Sequence, residues 1–424
     1  MNIHTVTAVI ILVAEGLFAL WLLEYAGTLK SPAAFFLSLV LLGGAFYLRY
    51  LCLDYRTLDY INFLSKWVDH FSYNKGFLAF SESMSNCNYN IPYLYFLALF
   101  SYFRVSDLYL IKLLSVFFDV VLAYSAMQLV GKVNDRVWAK LMCFFTVLYL
   151  PTVVLNGALW AQCDSIYVAL AALSIYQALD DRPVLSMISI TLSFGFKLQA
   201  VFIMPILAVL YFRGKFRLPH FLLFPVTYLI LILPAVLLGR PFKETLTLYI
   251  DQAGTVGSGM NYNSPSAFSL IQDMPSEKMA SVTGIIAAFA LMFIVLMICY
   301  MMRRDLTDKA VIAAAAVLAI GIPFLLPHMH DRYFFAADIF SLILAFSYLP
   351  AAPAAPMVQY ASLLGYHAFL KQRYLLPMSC GGKALVGALV ISFAVFLGEL
   401  WKSNPPQFEK NNWETCENEL DNLG

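Results

Sequence analysis

Long apolar runs alternate with short polar ones along most of the chain. Candidate spanning segments lie at 6–26, 34–52, 108–131, 137–156, 160–179, 184–198, 199–212, 221–239, 279–301, 310–326, 332–350, 354–370 and 384–400. Several fall short of the ~20 residues that a straight crossing takes. Two stretches break the pattern. In residues 58–72, Ile61, Leu64, Val68 and Phe71 recur at helical spacing, with Asp59, Asn62, Lys66 and Asp69 on the opposite side. That pattern predicts an amphipathic helix lying on lipid. Residues 89–103 are apolar throughout, yet reading them as a crossing flips every later loop, so they read as a second interfacial helix.

The basic residues orient the segments. Short loops rich in Lys and Arg belong on the cytoplasmic side, which places Lys132–Arg136, Arg182, Arg213–Lys215–Arg217 and Arg303–Arg304–Lys309 there. Arg182 and Arg213 then share one side, so 184–212 crosses twice and Lys197 sits near the outer turn. With that parity 54–107, 157–163, 240–278 and 327–331 all face outside, as does the N-terminus. Lys371 and Arg373 break the charge rule. Residues 1–401 read as one transmembrane domain with outer loops 54–107 and 240–278. The acidic stretch 402–424 reads as a loosely ordered cytoplasmic tail. Segment 6–26 has no basic lead and a second apolar segment follows closely, unlike a cleaved signal.

Composition agrees with this reading. The chain has 424 residues, 61% of them hydrophobic and 12% charged, and its mean hydropathy is +0.75. A water-soluble domain of this size has nowhere to bury that much apolar surface, so the chain reads as an all-α polytopic membrane protein with about 11–13 transmembrane helices. The net charge of +1 gives no sign of a nucleic-acid partner. Seven scattered cysteines with no CxxC pair argue against a disulfide framework or a zinc site. There is no internal repeat, P-loop or dinucleotide fingerprint.

The polar residues that remain concentrate on the outer loops. Asp54 and Asp59 follow the second span. A carboxylate at the water–lipid boundary can take a proton from a hydroxyl, although Asp59 can equally cap the helix after it. Asp69 continues the polar stripe. In LNGALWAQCDSIY, Trp160 offers a flat face for a sugar ring, and Gln162 and Asp164 offer hydrogen bonds; an interfacial Trp with Asp164 as a helix cap is the plainer reading. LPHMHDRYFF groups His328, His330, Asp331 and Arg332 in a chain of six histidines. Arg and His suit phosphate oxygens, and a third well-spaced metal ligand is missing. Lys112 and Asp119 share a face of one span. Lys197 is placed either to pair with Asp119 or to meet an anionic head group. NYNSPSAF (261–268) reads as an ordinary turn with some capacity for sugar hydroxyls.

LDYINFLSKWVDH, IKLLSVFFDVVLAY, LNGALWAQCDSIYVAL, FKLQAVFIMPI and LPHMHDRYFF, in this order, resemble the bacterial relatives of the GPI mannosyltransferases in the GT-C glycosyltransferase superfamily. The resemblance covers about residues 55–350 and rests on the combination rather than on any one motif. It implies an inverting integral-membrane transferase in the cell membrane. Such an enzyme moves one hexose, mannose or glucose first, from a polyprenyl-phosphate carrier to a glycan, lipid or protein hydroxyl on the outer face, with no cofactor required. Asp59 matches the place of the family's catalytic carboxylate. His330–Asp331–Arg332 is similar to a His-Glu-Lys turn that binds donor phosphate in eukaryotic relatives, with both charged residues changed. On that reading His330, Arg332 and Lys197 hold the donor phosphate. Trp160, Gln162, Asp164, Asp54, Asp69, His328 and Asp331 orient sugar or acceptor. The competing expectations are a transporter or flippase for a lipid-linked sugar and a ligase or polymerase using a diphosphate carrier.

Overall fold

The computed structural model describes residues 3–82, 84, 87, 89–254, 259–271 and 276–403, with backbone alone for 252–254 and 403. The expected acidic tail, from 404 onward, lies outside the described residues, as do parts of both large loops. The described chain is built from α1 (Ile3–Tyr25), α2 (Pro32–Cys52), α3 (Ser65–Tyr73), α4 (Ile91–Phe100), α5 (Asp107–Gly131), α6 (Val137–Tyr149), α7 (Pro151–Val154), α8 (Asp164–Leu179), α9 (Pro183–Phe196) and α10 (Ile206–Phe212). There follow α11 (Leu223–Leu237), α12 (Phe242–Gly254), α13 (Glu277–Met301), α14 (Asp308–Leu325), α15 (Phe335–Ser347), α16 (Ala354–Lys371) and α17 (Met378–Ser403). The described strands are β1 (Asn261–Tyr262) and β2 (Met329–His330), which pair in parallel.

Among the described residues, seven helical segments are long and apolar enough to cross a membrane. An eighth is broken at Pro151, where α6 and its continuation to Leu159 meet at 46°. The chain is an all-α multi-pass membrane protein. The expectation of 11–13 crossings exceeds the seven because α8, α9 and α15 are short and buried among the longer helices. α14 forms the centre. Its Ala313–Ala316 run is fully buried, and small side chains let neighbouring backbones approach. α1, α2, α11 and α13 form the apolar rim.

Ionic contacts divide the bundle into two polar ends. At one, Lys132 meets Asp180 at 2.8 Å, Lys215 meets Asp181 at 2.7 Å, Arg182 meets Asp180 at 3.0 Å and Arg213 pairs with Asp308. At the other, Tyr60 Oη donates to Asp107 at 2.9 Å and Lys197 pairs with Asp164. α5 therefore runs from one end to the other, roughly 37 Å for its 25 residues. α8 does the same, with Asp164 and Asp180 near its two ends. Residues 183–212 go out and return, as the basic loops require, turning at the extended Lys197 (φ −153°). Lys371 and Arg373 fall at the Asp164 end, near the Tyr374–Asn263 hydrogen bond, so their exception to the charge rule stands.

Two expectations change at the first loop. Leu64, Val68 and Phe71 are buried as the stripe predicts, but Ile61 is 48% exposed. Residues Tyr60–Leu64 form a π-helical turn, and the wider turn rotates Tyr60 inward in place of Ile61. Most of the 89–103 stretch is covered by protein rather than lying on the surface, although Leu99, Tyr102 and Phe103 are exposed. In α4, Tyr93, Leu94, Leu97 and Ala98 are buried in protein, and Tyr95 Oη donates to the Leu231 carbonyl of α11 at 3.0 Å.

Candidate active site

Four stretches distant in sequence meet at the Asp107 end of the bundle. The first is the turn after α2. Lys112 of α5, fully buried, donates to the carbonyls of Cys52 (2.7 Å), Leu53 (3.0 Å) and Tyr55 (2.6 Å). It satisfies acceptors that the end of α2 leaves open, and so fixes where the chain leaves the helix towards Asp59. Asp59 makes no capping hydrogen bond to the turn after it, which removes the capping alternative.

The second stretch is 155–164. A π-helical turn at Leu155–Leu159 leads into Ala161 at φ +65°, a conformation that costs a non-glycine residue of order 1–3 kcal/mol. Ser115 Oγ donates to the Gln162 carbonyl at 2.6 Å and Thr57 Oγ1 to the Trp160 carbonyl at 3.1 Å, holding the strained segment in place. It thereby presents two donors to one oxygen of Asp59: Trp160 Nε1 at 2.8 Å and Gln162 Nε2 at 3.0 Å, both to Oδ2.

The third and fourth stretches are the β1–β2 pair and the turn that follows it. Tyr262 and His330 face each other in register and their rings stack at 4.6 Å. His328, at φ +60°, donates its N–H to the Met260 carbonyl at 2.8 Å, and its Nδ1 meets the Gly259 carbonyl at 2.8 Å. α16 clamps both loops. A Cβ on Gly365 would stand 2.6 Å from the Asp331 carbonyl oxygen and 3.0 Å from that of Asn263, so only glycine permits this approach.

These elements enclose a cavity of ≈ 380 Å³ whose lining includes Asp59, Tyr89, Gln162, His330, Asp331 and Arg332. Arg332 Nη1 lies 3.5 Å from Asp59 Oδ2 and 3.9 Å from Asp331 Oδ1, and its Nε lies 3.7 Å from Asp164 Oδ2. The guanidinium also covers the Trp160 ring at 5.4 Å. Asp164, 1% exposed, pairs with Lys197 and accepts from Asn156 Nδ2 at 2.7 Å. Burial pushes the Asp331 carboxyl up to about 7 against the downward pull of Arg332. Burial also lowers His330 to about 4, with Arg332 and Lys197 adding to the effect.

The geometry amends several expectations from the sequence. Trp160 is fully buried, with Phe369 stacked on it at 4.2 Å, so it has no free face for a sugar. Its N–H serves Asp59 instead. Asp119 pairs with Arg49 at 2.8 Å rather than with Lys197. Lys197 and Asp164 stand behind the cavity and not among its lining residues. Asp54 accepts from Tyr109 and is exposed, Asp69 is exposed, and His328 shapes the loop; none of the three lines the cavity. His330 lines it as a neutral ring at pH 7, so Arg332 supplies the positive charge. Tyr89, Tyr262 and Phe369 also line the cavity, with Phe63, Leu64 and Trp67. No individual aromatic ring among them stands out in the sequence, whereas Asn263, which lines it too, belongs to the 261–268 turn that does. Among the described residues no group of three His, Cys, Asp or Glu side chains is placed to hold a metal ion. No protein-family model matches the chain, and no curated protein is similar enough to match it.

Proposed function

We propose that this chain is a GT-C-type integral-membrane glycosyltransferase that moves one hexose from a polyprenyl-phosphate carrier to an acceptor hydroxyl, with inversion, on the outer face of the membrane. The observation that carries the reading is the shared cavity: Asp59 from the first loop and Arg332 from the late turn, 3.5 Å apart, at the end opposite the basic loops. In this reading the shorter buried helices count as crossings too. The cavity volume suits a small polar head group. Its position at the helix ends lets a lipid tail stay in the bilayer.

The chemistry follows from the groups present. Asp59 accepts the proton of the acceptor hydroxyl as that oxygen attacks the anomeric carbon. Trp160 and Gln162 bind Oδ2 and orient the carboxylate, which leaves Oδ1 to take the proton. Arg332 meets the charge that grows on the departing phosphate, in a fork geometry suited to its oxygens. The neutral His330 ring offers one further N–H.

The transporter alternative drew on Lys112, Asp119 and Lys197, and each is held by protein partners here. Incubating the purified protein with a radiolabelled polyprenyl-phosphate hexose and a mixture of acceptors separates the classes. Conversion of the label to a non-lipid or newly glycosylated product is the expected result. Label that changes leaflet without any chemical conversion contradicts the reading. Conversion only with diphosphate donors favours a ligase or polymerase instead.

A further inference from the structure

The cluster around Arg332 holds more acid than base. Asp59, Asp164 and Asp331 all lie within 4 Å of the Arg332 guanidinium, and among the described residues Lys197 is the other cation paired within the group. Three carboxylates face two cations. Asp164 and Asp331 are buried while Asp59 is partly exposed to the cavity, and an uncompensated charge in so largely buried a group is expensive. Hydrogen bonds decide which acid gives way. Asp59 has Trp160 and Gln162, and Asp164 has Lys197 and Asn156. Asp331 is 4% exposed; its carboxyl accepts from the Arg332 backbone N–H, but its buried Oδ1 has no hydrogen-bond partner. That oxygen belongs to a residue of the cavity wall.

We propose that Asp331 carries a proton in the resting site and donates it to the leaving phosphate, as the catalytic acid that complements Asp59. The inference rests on the transferase reading. In the step, the acceptor O–H proton passes to Asp59 as the acceptor oxygen bonds to the anomeric carbon. The bond from that carbon to the bridging phosphate oxygen breaks, and the Asp331 proton goes to the bridging oxygen. Polyprenyl phosphate leaves as a monoanionic monoester. Asp59 then holds a proton and Asp331 none, and exchange through water restores the starting state.

The groups that face Asp331 set its titration. Arg332 and His330 flank it on its own turn, and Tyr333 follows. Asp59 faces it from the first loop and Asp164 from the head of α8. α16 presents backbone at Gly365, and its Tyr366 hydroxyl is taken by Asn156 at 3.0 Å. Burial sets the carboxyl near 7. The proton is therefore present below that pH and lost above it, and transfer from the phosphate donor falls as pH rises through neutrality.

The test is single-turnover transfer by the full-length protein from about pH 5.5 to about pH 9, with two donors. One is a polyprenyl-phosphate hexose. The other is a hexosyl fluoride, whose departure depends less on a phosphate-directed acid. Asp331→Asn is expected to lose roughly 10²-fold in rate with the phosphate donor, to lose the decline above neutrality, and to lose far less with the fluoride. Unchanged rate and pH profile in Asp331→Asn, alongside an active parent, overturns the inference and leaves the transferase reading intact. A parent that consumes no phosphate donor overturns both. Infrared titration of the resting parent protein gives a check that needs no variant to fold. A protonated carboxyl band that disappears near neutral pH is expected, and its absence contradicts the proposal.

Discussion

A tryptophan beside a carboxylate has two uses, as a flat face for a sugar or as an N–H donor, and burial tells them apart. Trp160 is sealed between Phe369 and Arg332, so its N–H is what reaches the site. Trp160→Phe keeps an aromatic ring against Phe369 and removes the bond to Asp59. A hydrogen bond to a charged group is worth about 1.5–3 kcal/mol. Transfer is expected to fall roughly 10- to 100-fold, with a lowered thermal unfolding midpoint as well, because the smaller ring leaves a cavity in a fully buried site. Arg332→Ala is expected to raise the donor KM by at least roughly tenfold on the same scale. His330→Gln, which replaces a ring that is neutral at pH 7, is expected to raise it far less. Donor titrations of the two variants make the comparison. Asp59, Asp331 and Arg332 are legible in the sequence because a charged residue beside apolar spans is costly and invites a reason. Tyr89, Tyr262 and Phe369 are not, because a chain with 35 Phe and 25 Tyr gives no single aromatic ring any contrast.

Local periodicity located most helices and missed their irregularities. The π-helical turn at Tyr60–Leu64 moves one residue of the expected stripe outward, and nothing in the spacing of apolar residues signals it. Charge partners were equally hidden. Asp119 and Lys197 stand at plausible depths for one another, yet Asp119 accepts two bonds from Arg49, at 3.0 and 2.8 Å, and one from Ser165 at 2.5 Å. Arg49 sits at the end of an apolar run, where a basic residue ordinarily marks only the membrane boundary. Removing one member strands the other, so Asp119→Ala is expected to cost about 3–5 kcal/mol. The double change Arg49→Met with Asp119→Leu is expected to cost less than the sum of the single ones, measured by unfolding in detergent. Gly365→Ala is expected to push the 261–263 and 328–332 turns apart and to lower transfer more than it lowers stability, as kinetics and unfolding of the same preparation will tell.

Across the whole molecule, two polar layers cap one apolar bundle, and the basic residues foretold which loops share a layer. Depth alone did not give the number of full-length crossings, because buried helices such as α15 need not match the bilayer thickness. In single-cysteine variants of a cysteine-free parent, Lys243→Cys is expected to react with an impermeant maleimide in intact cells. Arg304→Cys is expected to react only after permeabilisation. The reverse pattern places the cavity on the cytoplasmic side. The claim on which the rest depends is that Asp59 is the base of a sugar transfer, and a correctly placed base contributes roughly 10²–10⁴ in rate. Single-turnover transfer from a polyprenyl-phosphate hexose, comparing the parent with folded Asp59→Asn, tests it most directly. A loss of that size with donor binding retained is the expected result; transfer by Asp59→Asn at the parental rate contradicts the account.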